Sequence, residues 1–184
     1  DNKHIANRSS KKWELEGIFI SHSKIDYHDF GSMHAANDSE YVRLHFGLSG
    51  SYEFSFAQLN RSYALSGHHN NIMYSKGLEL EILNTSKHIE SFGVNFSKEA
   101  FLKIGQNGNE VLKRFSEKVG KGENSILSPN WKTTNFYMQQ VIQDIINCPY
   151  SEDLQQLFLL SKSIELLVLQ AKLYEEEQVD LFIK

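Results

Sequence analysis

The fold is decided by residues 41–56, which read Tyr-Val-Arg-Leu-His-Phe-Gly-Leu-Ser-Gly-Ser-Tyr-Glu-Phe-Ser-Phe. Apolar and polar side chains alternate on both sides of Gly50, first from Val42 and again from Tyr52. Successive side chains of a β-strand point to opposite faces of the sheet, so this alternation predicts two strands with one face buried. The glycine between them predicts a turn or a sharp bend.

Shorter β-rich runs flank this stretch at a spacing typical of a sandwich or barrel. They lie at residues 13–25, 62–65, 71–74, 78–83 and 88–96. A single flat antiparallel sheet is the alternative, but it would leave long exposed edges, whereas a closed barrel or jelly roll removes most of them. We therefore predict a closed antiparallel β-barrel. Burial alone predicts that one strand face forms its core: Leu44, Phe46, Phe54, Phe56, Leu80 and Ile82.

After residue 96 the apolar residues recur every three or four positions, as in a helix, and no longer at every second position. Ser97 predicts a helix cap, Ser128-Pro129 a helix start, and Ser151 the start of a second long helix after Cys148-Pro149. Two helices joined by so short a link are expected to pack as an antiparallel hairpin. The last helix has apolar residues on more than one face, Leu159 and Leu166 among them, so it should bury surface against the strands or against a second copy of the chain.

These patterns predict a mainly β plus α chain with two parts. Residues 1–96 form the barrel together with a frayed N-terminal arm, residues 1–12, and residues 97–184 form a helical unit.

Composition limits the function. The chain of 184 residues has a formal net charge of -4, which suits duplex DNA poorly because DNA is bound largely through lysine and arginine on phosphates. The single cysteine, Cys148, excludes an internal disulfide. No stretch approaches the roughly 20 apolar residues that span a bilayer. We therefore expect a cytoplasmic protein that does not enter membranes.

Three stretches carry a resemblance to a known family. The strand Glu40-Tyr-Val-Arg-Leu-His-Phe-Gly-Leu-Ser-Gly50, the segment 91–102 and the helix pair from Asn147 to Gln170 resemble bacterial AraC-family transcription regulators, in particular the siderophore-responsive, pyochelin-regulator-like branch. The resemblance covers roughly residues 13–174. It implies a cupin-like barrel (jelly roll) that receives an effector, followed by helices that mediate dimerisation. The helix-turn-helix domain that reads DNA in this family is expected to lie outside this chain.

Cupin-like barrels also house metal enzymes, so catalysis is the main alternative. Such an enzyme, an oxygenase or isomerase, would need a cluster of metal ligands, typically a His-x-His pair with a nearby carboxylate. The eight histidines include no His-x-His, and the adjacent His68 and His69 would point to opposite faces of a strand. Cys148 precedes a proline and reads as a packing residue. We expect no catalytic residue, no metal site and no cofactor.

Binding remains. A barrel mouth is a preferred place for a small-molecule pocket, which combines apolar walls with a few polar groups. The polar and aromatic side chains that could line it are Arg43, His45, Tyr52, Tyr74, Ser91 and Phe92. Arg43 stands out because a guanidinium suits carboxylate or phenolate-type effectors. A ferric siderophore, whose iron arrives already ligated, or a small organic acid is the expected effector.

A homodimer is the expected assembly, with DNA contacted through the absent domain. The dimer contact is predicted on the last helix, at Leu157, Leu160, Ile164, Leu167 and Val168. Effector binding should change how the terminal helices or the N-terminal arm pack. A stand-alone binding domain without a DNA-reading partner is the second alternative.

Overall fold

The strands of the computed structural model, which describes residues 3–183 and the side chains of residues 3–175, form one antiparallel sheet. Their order across the sheet is β1-β2-β7-β3-β6-β4-β5, and the short β8 pairs with β6. The bounds are β1 Ile5–Leu15, β2 Ile18–Tyr27, β3 Ser32–Ser49, β4 Ser51–Phe56, β5 Arg61–Ser66, β6 His69–Asn84, β7 His88–Ser97 and β8 Ser125–Ile126. Four helices follow the long strands: α1 Lys98–Gly105, α2 Glu110–Gly120, α3 Phe136–Ile146 and α4 Glu152–Ile183.

The sheet bends where β3 pairs with β6. The register between them shifts at Asn37/Glu40, and Gly77 of β6 lies close by with a φ of 74°. Beyond this bend, β6 pairs with β4, whereas the other half of β3 pairs with β7. The two halves of the sheet therefore face each other, and the His45 ring on β3 stacks on the Phe54 ring on β4 with centroids 6.5 Å apart. The strands form a cup.

The predicted fold class, antiparallel strands followed by a helical unit with a terminal helix pair, is confirmed. The predicted closure is wrong, because β1 and β5 end the hydrogen-bonded order and no ladder joins them within the described residues. The cup is closed by side chains between its two walls. The N-terminal arm also differs from expectation, since residues 5–12 belong to β1 and pair with β2. Asp1, Asn2 and Lys184 of the predicted parts lie outside the described residues.

Two cores lie on opposite faces of the sheet, which corrects the single core face expected above. Leu44 and Phe46 point outward and pack with the helices, around Phe101 of α1 and Met138 of α3. The inner core of the cup comprises Ile25, Tyr27, Tyr52, Phe54, Phe56, Leu65, Met73 and Ile89, with Leu80 and Ile82 packed against it.

The helix boundaries agree with expectation at two places and differ at a third. The Ser97 hydroxyl accepts a hydrogen bond from the Ala100 amide at 3.2 Å, as predicted for a cap. The second helix of the terminal pair begins directly after Ser151. Ser128-Pro129 does not start a helix: residues 127–134 run beside β6, with hydrogen bonds such as that from the Leu127 amide to the Ile72 carbonyl at 2.8 Å. The helix begins later, capped by the side chain of Asn135.

In the described part of the chain, no helix combines the length and the apolar character needed to cross a bilayer.

The turn between β3 and β4 makes a stability prediction. Gly50 has a φ of 87°, and a Cβ atom there would lie 2.2 Å from the His88 carbonyl oxygen. Gly50→Ala is therefore expected to lower the free energy of unfolding by about 2 kcal/mol or more, as both backbone strain and a backbone clash arise. Urea denaturation measures the loss. Gly67→Ala is the matched control, with a φ of 63° but no atom within 4 Å of the new Cβ, and an equal loss in both variants would contradict the clash.

Candidate functional site

The inside of the cup holds a cavity of about 180 Å³ between the two walls of the sheet. Its apolar lining comes mainly from β4 and the second half of β6: Phe54, Met73, Leu78, Leu80 and Ile82. Its polar lining comes mainly from β2, β3 and β7: Ser21, Arg43, His45, Ser91 and Asn95, with Tyr52 of β4. Apolar walls with a few polar groups are the usual composition of a small-molecule site.

Five of the six residues predicted for the ligand line this cavity: Arg43, His45, Tyr52, Ser91 and Phe92. The Phe92 ring itself lies in the outer core with its register partner Phe46, at a centroid distance of 6.2 Å. Tyr74 is not brought together with the others. It pairs in register with Val42, so it points outward, where it is fully buried against the helices and its hydroxyl donates to the Glu40 carboxylate.

Arg43 is a buried cation in the cavity wall. Its Nη1 donates to the Tyr41 carbonyl at 3.2 Å and to the Ser75 hydroxyl at 3.0 Å, and its Nη2 donates to the Ser39 carbonyl at 3.1 Å. All three acceptors are neutral. Burial lowers the pKa of Arg43 to about 10, so the guanidinium keeps its charge at neutral pH.

Two histidines share the hydroxyl of Tyr52. The His45 Nε2 atom lies 2.6 Å from it and the His69 Nε2 atom 2.8 Å from it. One hydroxyl can donate to only one of the two rings, so Tyr52 accepts a hydrogen bond from the other. Burial, aided by the proximity of His69, lowers the pKa of His45 to about 3, and burial also lowers the pKa of His69. Both rings are therefore neutral at physiological pH. Of the three basic side chains Arg43, His45 and His69, Arg43 carries a positive charge.

Trp131 packs against both of these histidines, and sequence reasoning missed this contact. It lies in the segment 127–135 between β8 and α3 and contacts the edges and faces of four rings. The centroid distances are 5.9 Å to His45, 6.4 Å to Phe54, 5.5 Å to Tyr63 and 5.6 Å to His69. The missed residues Ser21, Gly93 and Asn95 complete the β2 and β7 side of the wall.

A buried polar network joins this segment to α4. The Asn70 side chain, which is fully buried on the outer face of β6, donates to the Lys132 carbonyl and the Thr134 hydroxyl and accepts from the Gln170 amide at 3.2 Å. Gln170 also donates to the Asn71 carbonyl at 3.2 Å. The network thus includes Asn70, which follows His69 in the chain, and Lys132, which follows Trp131. It ends at Gln170 on α4.

The residues predicted for dimerisation divide between surface and core. Leu157 and Val168 are exposed by 64% and 59%, and Leu160 by 38%, whereas Ile164 is half-buried. Leu167 is 1% exposed and packs in the outer core. Leu157 and Leu160 also line an open groove of about 570 Å³ between α4, α1 and the β1–β2 turn.

Among the described residues, no group of three histidine, cysteine, aspartate or glutamate side chains is arranged to hold a metal ion. In the described part of the chain, the side chain that hydrogen-bonds to both His45 and His69 is a tyrosine and not a carboxylate.

Comparison with known proteins adds a family and several distant structures. A family model described as the regulatory protein PchR N-terminal domain matches residues 13–180. No curated protein sequence matches this chain.

Among solved structures, this chain is similar to a cupin superfamily protein from Desulfitobacterium hafniense, at 12% identity over 50% of this chain and 79% of that one, with a TM-score of 0.40. It is also similar to ectoine synthase from P. lautus, at 12% identity over 52% and 66% of the two chains, with a TM-score of 0.39. The EutQ protein of Clostridium difficile is similar at 11% identity over 49% and 68%, with a TM-score of 0.37.

Proposed function

Because the chain belongs to the family of the regulatory protein PchR N-terminal domain, we propose that it is the effector-sensing domain of an AraC-type transcription regulator and that the cup receives the effector. The observation that carries the proposal is the cavity between the cup walls, with an apolar side, a polar side and one buried cation. A sensing domain does not need to catalyse a reaction of its ligand. A regulator needs a site whose occupation changes the rest of the domain.

The buried network supports a route for that change. An effector in the cavity touches His45, which is in ring contact with Trp131, and the neighbouring Lys132 is bonded to Asn70 and to Tyr174 of α4. A ligand shifts a two-state equilibrium by its difference in affinity for the two states. We infer that the effector biases the packing of segment 127–135 and thereby of α4. The terminal-helix route is favoured over the N-terminal arm, since residues 5–12 are held in β1 by pairing with β2.

The partners follow from the same role. We propose that two copies pair through exposed apolar residues of α4, with Leu157 and Val168 at the contact, and that DNA is read by a helix-turn-helix domain outside this chain. The exposed apolar side chains on one helix support this contact, because contiguous exposed apolar surface typically marks an interaction site. Leu167 is assigned to the core and leaves the proposed contact.

The proposal is tested by filling the cavity. Gly93 lies on its wall, and a Cβ atom there would meet the Ser21 Oγ and the Leu44 carbonyl oxygen at ordinary distances of 3.6 and 3.7 Å. Gly93→Val is therefore expected to fold normally, since valine suits a strand, while its methyl groups occupy ligand space. Thermal-shift screening of a small-molecule library against both proteins should give compounds that stabilise the wild type and lose at least 90% of the shift in Gly93→Val.

Two results would count against the proposal. Compounds that stabilise Gly93→Val as strongly as the wild type bind outside the cup. Tight, salt-dependent binding of this chain itself to duplex DNA, measured by fluorescence anisotropy, would mean that residues 1–184 contain the DNA-reading surface.

A further inference from the structure

Arg43 is a buried positive charge without a buried negative charge. It is 8% exposed, and among the described residues no carboxylate pairs with it. Its hydrogen bonds to two backbone carbonyls and one hydroxyl satisfy part of the guanidinium but do not neutralise it. A buried charge is costly unless it is paired, so an anion that enters the cavity gains more from Arg43 than it would gain from an exposed arginine.

The unused donors of Arg43 match a particular anion. Three of its five N–H groups are engaged, and the Nε–H and one Nη2 N–H make no hydrogen bond with the described residues. These donors belong to neighbouring nitrogens of one planar group, which is the arrangement that binds both oxygens of a carboxylate. A phenolate or a hydroxyl offers a single oxygen and would leave one donor unpaired.

The surroundings of Arg43 divide the cavity into a polar and an apolar end. Asn95 is the register partner of Arg43 on β7, so a further polar group stands beside the guanidinium. The opposite lining is apolar, with Leu78, Leu80 and Ile82. The neighbouring His45 and His69 are neutral, so Arg43 supplies the positive charge, and no acidic side chain among the lining residues competes with an incoming anion.

We propose that the cup binds a small organic carboxylate, with the carboxylate on Arg43 and an apolar body against β4 and the second half of β6. The inference rests on the proposed function, since it concerns the same cavity. The cavity of about 180 Å³ is smaller than the usual site for a drug-sized ligand, so a compact acid suits it.

The test compares two probes of equal shape by isothermal titration calorimetry. Cyclohexanecarboxylate carries the charge and cyclohexanecarboxamide does not. Charge-assisted hydrogen bonds contribute more than neutral ones, so the wild type should bind the carboxylate at least tenfold more tightly than the amide. Arg43→Gln should remove this preference, and Arg43→Lys, which keeps the charge but not the paired donors, should retain only part of it. Acetate and inorganic phosphate test whether any anion suffices.

Each outcome decides the matter. Equal affinity for carboxylate and amide, no binding of either probe, or a carboxylate preference that survives in Arg43→Gln overturns the inference. If phosphate or acetate binds as tightly as cyclohexanecarboxylate, the claim that an apolar part of the ligand packs against β4 and β6 is wrong. Should Arg43→Gln fail to fold, the comparison of the two probes on the wild type still decides. The proposed function has its own test: library compounds that stabilise Gly93→Val as strongly as the wild type overturn it, whereas equal affinity for carboxylate and amide, with both lost in Gly93→Val, overturns this inference alone.

Discussion

Replacing Asn70 by leucine is expected to lower the free energy of unfolding by about 3 kcal/mol. The side chain is fully buried, and it makes hydrogen bonds to Lys132, Thr134 and Gln170. Each such bond contributes about 1 kcal/mol net, and a buried group left without a partner costs about 1–3 kcal/mol. Leucine has a similar volume, so the loss measures the network and not a cavity.

Urea denaturation followed by circular dichroism gives the free energy of unfolding. Asn107→Leu is the matched control, because Asn107 is exposed and its side chain bonds only to the nearby Lys103 carbonyl, at 3.4 Å. We expect that control to change stability by less than about 0.5 kcal/mol. A loss below 1 kcal/mol in Asn70→Leu would show that α4 is held by its apolar residues and not by the network.

Acid is expected to destabilise the fold through the two histidines of the cup. The folded-state pKa of His45 is about 3 and the usual value is 6.5, so below pH 6.5 the unfolded chain takes up a proton that the folded chain does not. Stability is therefore fully present above pH 6.5 and is lost as the pH falls toward 3. Between pH 7 and pH 5, His45 alone accounts for about 2 kcal/mol, and His69, whose pKa is lowered by burial, acts in the same direction.

Urea denaturation at pH 7 and pH 5 measures this loss in the wild type and in His45→Gln. Glutamine does not titrate and can still hydrogen-bond to the Tyr52 hydroxyl, so the pH dependence of the variant should be smaller by about 2 kcal/mol over this interval. Other titrating groups are common to both proteins and cancel in the comparison. Identical pH profiles would mean that His45 is protonated in the folded state.

Strands were predictable where apolar and polar residues alternate strictly. They were missed where only backbone pairing with a neighbouring strand holds them. Residues 32–40 contain asparagine, aspartate and serine, which favour turns, yet they form the first half of β3 because they pair with residues 76–83 of β6. The runs 71–74 and 78–83 were predicted as separate strands, whereas the chain bends at Gly77 between them and continues as β6. Ser128-Pro129 suggested a helix for the same local reason, although backbone pairing with β6 takes precedence.

Part of the site was predictable because every second side chain of a strand points to the same face of the sheet. Arg43 and His45 share one face of β3, so a pattern that placed one of them in the cup also placed the other. The face of Tyr74 depends on its register with Val42, and the register follows from the bend and the pairing of distant strands. Trp131 lies in a segment without any period, so no sequence signal joined it to the histidines of β3 and β6.

Gly93 also bears on how relatives of this domain can diverge. Its Cα faces the cavity, and a side chain added there meets neighbouring atoms at ordinary distances. If the cup receives the effector as proposed, a single codon change here would reduce the space for it, while the added Cβ displaces neither the backbone nor the two cores. Under that proposal, a change of signal would not have to begin with a loss of stability.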